Sequence, residues 1–163
     1  MQVDQIPLAR IVLDERNPRI AHVVGDIKNA PPQEWIPLAL GQHAPEEQQG
    51  GPASTYSGLK ASIRAQRGLI MPIIATPRPD GDYTVIEGNT RVAIFRELAD
   101  EGATGNWDTI PAVVHSNLPE VGEHAIRLQA HLVGPRPWSA YAKAKYLHDL
   151  YIDKKMSITE IED

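Results

Sequence analysis

Ile86-Glu-Gly-Asn-Thr-Arg-Val92 gathers a carboxylate, a glycine, two capping side chains and a guanidinium within seven residues. Such a run can handle phosphate. If a strand ends here, Gly88 permits a tight bend, and a helix starting at Asn89 or Thr90 aims its first N–H groups and dipole at one small volume. Arg91 in the first turn can bring a fork of donors to the same volume, as an anion site requires. Glu87 can hold Mg²⁺ there or activate a hydroxyl. A plainer arrangement uses the same residues. Asn89 or Thr90 caps its own helix, Arg91 faces water, and Glu87 pairs with Arg91. The run is neither a Walker loop, having no Gly-Lys-Ser/Thr, nor a dinucleotide fingerprint.

A second arginine is set up by Asp14-Glu-Arg-Asn-Pro-Arg19. Pro18 keeps Asn17 extended, making a stiff polar turn. This turn either holds Arg19 at the rim of a site or simply leads the chain out of a strand. His22, His43, His115, His124, His131 and His148 show no usual metal-ligand spacing. The chain has no Cys, which removes disulfides, thiolate metal sites and cysteine nucleophiles.

The elements that must position these groups follow from pattern. Ile6 to Leu13 is predicted as one short strand. Residues 29–57 hold five Pro and three Glu but no Lys or Arg, and are expected to form a long surface excursion. Within it, Trp35, Ile36, Leu38 and Leu40 can dock as a helical turn or two. A helix is predicted from Ser57 to Arg67, stopped by Gly68. A hairpin follows, with strands from Leu69 to Ala75 and Tyr83 to Ile86 around Pro79-Asp-Gly-Asp82. Val92 to Leu98 reads as an amphipathic helix fading at Gly102, and Ile110 to Val114 as a third strand. Glu120 to His131 and Trp138 to Ile152 are predicted helices around the break at Gly134-Pro-Arg-Pro137. The last helix carries a stripe of Tyr141, Ala144, Leu147 or His148, and Tyr151.

The 163 residues suffice for one domain with an appendage. Sixteen basic against 21 acidic residues give a net charge of −5, which argues against coating nucleic acid by bulk charge. No long apolar run predicts a membrane span, and the N-terminus lacks a signal-peptide pattern. A cytoplasmic location is expected.

Read together, Ser62 to Ile74, Asp80 to Leu98 and Ile110 to Val114, preceded by Ile6 to Arg19, resemble the ParB/sulfiredoxin domain. The resemblance implies an α+β fold, a small mixed β-sheet flanked by helices and followed by a C-terminal helical segment. It gives Gly88, Asn89, Thr90 and Arg91 the role of holding nucleotide phosphates, and sets Arg19 near the nucleotide. Sulfiredoxins need a reactive cysteine after the glycine, so thiol chemistry is excluded and the partition-protein branch fits better. In that branch, Arg127-Leu-Gln-Ala-His-Leu-Val-Gly134 stands where a polar motif belongs. His131 takes an Asn position, and Ala130 replaces the Glu that helps hold Mg²⁺ in hydrolysing members, which argues against hydrolysis while leaving binding. Arg136 can supply a phosphate contact. Trp138 beside it reads as a core residue or a stacking platform.

Lys154 to Asp163 resembles a linker and the start of a helix-turn-helix, with Ser157 and Glu160 as a capping box. The expected organisation is a nucleotide-binding core at 1–116 with a 29–57 insertion, a helical extension at 117–155, and the start of a truncated helix-turn-helix at 156–163. The resemblance implies CTP or ATP with Mg²⁺ as ligand, DNA as a partner through a C-terminal region, a homodimer, and a role in chromosome or plasmid partition. The alternative is a metal-dependent phosphoryl-transfer enzyme or nuclease using Glu87.

Overall fold

The computed structural model describes residues 2–17, 33, 35–42, 55–132 and 140–152. Strand β1 (Asp4–Pro7) turns Ile6 inward and its neighbours outward, as a half-buried edge strand does. The segment read as one strand from Ile6 to Leu13 is divided. The Leu8 N–H still donates to Asp108 O at 2.8 Å, one position beyond the last pair of β1 with its antiparallel partner. Leu8–Arg10 then makes a single 3-10 turn before β2 (Ile11–Val12).

Helices α1 (Trp35–Gln42) and α2 (Tyr56–Gln66) precede the hairpin of β3 (Ile73–Pro77) and β4 (Tyr83–Glu87). Helix α3 (Asn89–Asp100) and strand β5 (Thr109–Val114) follow, then α4 (Glu120–Leu132) and α5 (Ala140–Ile152). The strands form one mixed sheet in the order β1-β5-β3-β4-β2. β1 with β5 and β3 with β4 run antiparallel, while β5 with β3 and β4 with β2 run parallel. This is the α+β arrangement expected, with a helical segment at its C-terminal end.

The order puts β1 and β2 on opposite edges, although one short turn joins them. Laid flat, five strands would hold the edges about 19 Å apart. The four steps from Pro7 to Ile11 reach at most about 14 Å. The sheet must therefore curl until its edges approach.

The main apolar core lies between this sheet and α1, α2 and α3. Phe95, Ile94, Leu98, Ile73, Ile110 and Val85 are fully buried in it. Trp107 meets Phe95 edge-on at 4.9 Å and donates its indole N–H to Ala103 O at 2.7 Å. In α1, Ile36 and Leu40 are inside, whereas Trp35 is exposed, so the docking patch is narrower than its composition suggested. Pro37 is tolerated because it lies in the first helical turn.

Two further expectations change. The left-handed residue ending α2 is Arg67 (φ 54°), one position before Gly68, whose N–H closes the turn onto Ile63 O at 3.3 Å. In α5 the buried side chains are Tyr146 and Leu150, which with Leu128 make a second, smaller cluster. Ala144, His148 and Tyr151 of the predicted stripe face solvent. The helix has two competing apolar faces, and the one that meets α4 is buried. The break at 134–137, Trp138 and residues 153–163 lie outside the described residues. So does the excursion apart from Gln33, α1 and residues 55–57.

Candidate functional site

Strand β4 delivers Glu87 to the start of α3. Gly88 makes the joint with φ 104° and ψ 18°, in the left-handed region that side chains resist. A Cβ at this position would sit 2.6 Å from Ile73 Cγ2, so the close approach to β3 also demands glycine. Gly88 O accepts the first helical bond from Val92 N at 3.0 Å. Having no side chain, Gly88 contributes none of the capping oxygens that usually meet the first-turn amides.

The polar side chains at the joint are turned inward. Asn89 Oδ1 accepts from the Asp14 backbone N–H at 2.8 Å in a buried contact. Arg91 donates from Nη1 to Met71 O at 2.7 Å and Pro72 O at 2.9 Å. Its Nη2 bonds to Glu87 Oε2, and only 14% of the Arg91 side chain is exposed. Thus Arg91 is held at the turn instead of lying in water, and Asn89 spends its oxygen on a neighbouring segment. Gly88, Asn89 and Thr90 are buried.

Behind Asn89 lies a polar group that the motif gives no sign of. Both carboxylate oxygens of Asp14 are engaged, Oδ1 by Arg16 N at 3.0 Å and Oδ2 by Arg127 Nε at 2.9 Å. Asp14 and Arg127 side chains are each only 4% exposed. Arg127 also donates to Glu123 Oε2 at 3.3 Å. Burial pushes the Asp14 carboxyl above its ordinary value, with Arg127 pulling the other way. For Arg127, burial works against the charge, but Asp14, with Tyr146 and Glu123, outweighs it and the guanidinium is held above its usual value.

Burial pushes the Tyr146 hydroxyl up to about 12, against the pull of Arg127. Tyr146 therefore keeps its proton, and its hydroxyl shares a hydrogen bond with His124 Nδ1. The other ring nitrogen, Nε2, lies 3.7 Å from Glu120 Oε1. The clue in the sequence was His124, Arg127 and Leu128 sharing one face of α4 at helical spacing, since a charge on a buried face needs a partner.

Among the described residues, no three His, Asp or Glu side chains come together as a metal-holding group. Asp14 is committed to donors, and Glu87 gives one oxygen to Arg91. Arg19 and Arg136 lie outside the described residues, as does the side chain of His131, whose backbone is in the last turn of α4. No described helix is long and apolar enough to cross a membrane.

No family model matches the sequence, and no curated protein matches it. Among solved structures, the chain is similar to the C-terminally truncated chromosome-partitioning protein ParB from Caulobacter crescentus complexed with CTP-gamma-S. That likeness has a TM-score of 0.47 and 16% identity, over 99% of this chain and 69% of the other. It is also similar to the truncated ParB from Caulobacter crescentus complexed to the centromeric parS site, with a TM-score of 0.46 and 14% identity over 94% of this chain and 59% of that one.

Proposed function

We propose that the chain is a ParB-like nucleotide-binding unit of a DNA-binding or partition-type protein, with nucleotide phosphates held at the Gly88–Arg91 turn. The observation that carries this reading is the joint itself. Gly88, left-handed and pressed on Ile73, heads a 12-residue helix without a capping side chain of its own. The positive end of that helix and the Arg91 fork lie within one turn, a pairing suited to phosphate oxygens. The motif resemblance supplies the ligand class, CTP or ATP. Mg²⁺ would arrive with the phosphates, coordinated mainly by their oxygens and water.

Arg91 is already positioned by two carbonyls and Glu87, so a phosphate has to replace Glu87 as its anion. In this reading the core at 1–116 holds the nucleotide, with Arg19, His131 and Arg136 as further contacts. The extension at 117–155 responds, and 156–163 begins the helix-turn-helix that reads DNA as part of a homodimer.

Calorimetric titration with CTP, ATP, GTP and their diphosphates in Mg²⁺ tests the proposal. Binding that prefers one base and disappears in Arg91→Ala is expected. A folded sample that binds none of them overturns it.

Glu87, at the end of β4 beside the turn, supports a second reading as metal ligand or base in phosphoryl transfer or DNA cleavage. Glu87→Gln separates the two. Under the first, nucleotide binding is retained or tightened because Arg91 is released; under the second, turnover is lost while binding persists.

A further inference from the structure

The main apolar core and the small cluster of Leu128, Tyr146 and Leu150 are separate groups of buried residues. Polar contacts that meet on α4 run between them. Asn89 at the head of α3 holds the Asp14 N–H, and the Asp14 carboxylate holds Arg127 of α4. Three residues back on the same helix, His124 bonds to the Tyr146 hydroxyl of α5. Every link is buried or nearly so, and a buried polar chain tolerates little rearrangement because each lost partner leaves another group unmet.

We infer that Asp14 and Arg127 are positioning residues of the α3 turn, joining with Asn89 and, through α4, with the His124–Tyr146 pair in one relay that ties the turn to α5. Neither Asp14 nor Arg127 belongs to the turn. The relay is a property of the chain alone, and it rests on the nucleotide reading only for what the turn would hold. An occupant that draws on the α3 N-terminus then alters how firmly α4 and α5 are held, and the coupling acts equally in reverse.

Hydrogen exchange on the full chain without ligand tests the relay. Asn89→Ala removes the acceptor for a buried N–H, a loss that raises local opening by about tenfold. The expected pattern is faster exchange in the first turn of α3 and, at a distance, in α5 from Tyr146 to Leu150, with β3 and β4 unchanged. Asp14→Asn, which keeps the shape and the backbone N–H but removes the charge facing Arg127, must give the same pattern and covers the case in which Asn89→Ala does not fold. Change confined to α3, or a uniform rise that includes the sheet, overturns the relay.

A second arm uses whichever triphosphate the titrations identify. Binding accompanied by altered α5 exchange supports the link, and binding that leaves α5 unchanged overturns it. If no nucleotide binds, the function proposed above falls, and the ligand-free pattern decides the relay alone.

Discussion

The two ends of α3 are fastened by similar side chains in opposite surroundings. At its head, Asn89 joins the buried pair of Asp14 and Arg127. Toward its tail, Lys60 of α2 reaches Glu97 at 2.5 Å and Glu101 at 2.6 Å, Arg64 pairs with Glu101, and the Tyr56 hydroxyl donates to Glu97 at 2.9 Å. The tail cluster is largely open to water, with Arg64 52% and Glu101 39% exposed. Water can replace any of its partners, so it adds little stability and dictates no unique geometry. At the head nothing can substitute. The difference teaches that the head sets orientation, while the tail mainly keeps two helices soluble and adjacent.

The sharpest way to break this contrast is to remove one side of the buried pair. Arg127→Ala should destabilise by about 3–5 kcal/mol in chemical denaturation, because Asp14 is left buried with its main partner gone. Replacing both residues together, Asp14→Leu with Arg127→Met, should recover much of that loss.

A pH series tests the same region next. The folded-state value of Tyr146, about 12, lies above its ordinary 10.0. Its contribution is therefore complete below pH 10 and is lost as pH rises toward 12. The size is about 2–3 kcal/mol, read from denaturation midpoints across that range. Tyr146→Phe should flatten this part of the profile.

Gly88→Ala examines the joint between the head and the sheet. The left-handed backbone and the contact with Ile73 together should cost about 2 kcal/mol, measured as a shift in denaturation midpoint. Smallest of all is the tail. Lys60→Met should change stability by no more than the error of a denaturation curve, and that change should fade with added salt. Hydrogen bonding from Lys60 holds the Glu101 carboxyl below its usual value. The tail contribution is therefore present above the ordinary carboxylate range and lost as pH falls below it through the lowered folded-state value.

What was legible in the chain follows from range. Glu87, Gly88 and the helix after them were readable because a strand end, a turn glycine and a helical repeat are local signals. The hairpin around Pro79 to Asp82 was readable for the same reason. Asp14 and Arg127 stand 113 residues apart, and no local pattern announces that pairing. The Ile6 to Leu13 segment reads as one strand from its partial alternation and branched residues, whereas its division is set by which partners lie on each edge. Arg67 took the left-handed position because Gly68 N–H serves as the outer donor of the closing turn. For α5, periodicity gave the stripe through Ala144 and Tyr151, whereas the buried face is the one on which Tyr146 bonds to His124 of α4.

The short link between β1 and β2 bears on how the chain is made. Ile6 finds its partner at Ile110, so the strand synthesised first waits for one of the last parts of the sheet to emerge. β3, β4 and α3 are neighbours in sequence and can associate earlier, since short loops close at lower entropic cost. The first dozen residues then supply both borders of the sheet at once, acting on a growing chain as a clasp that fastens only after the rest is in hand.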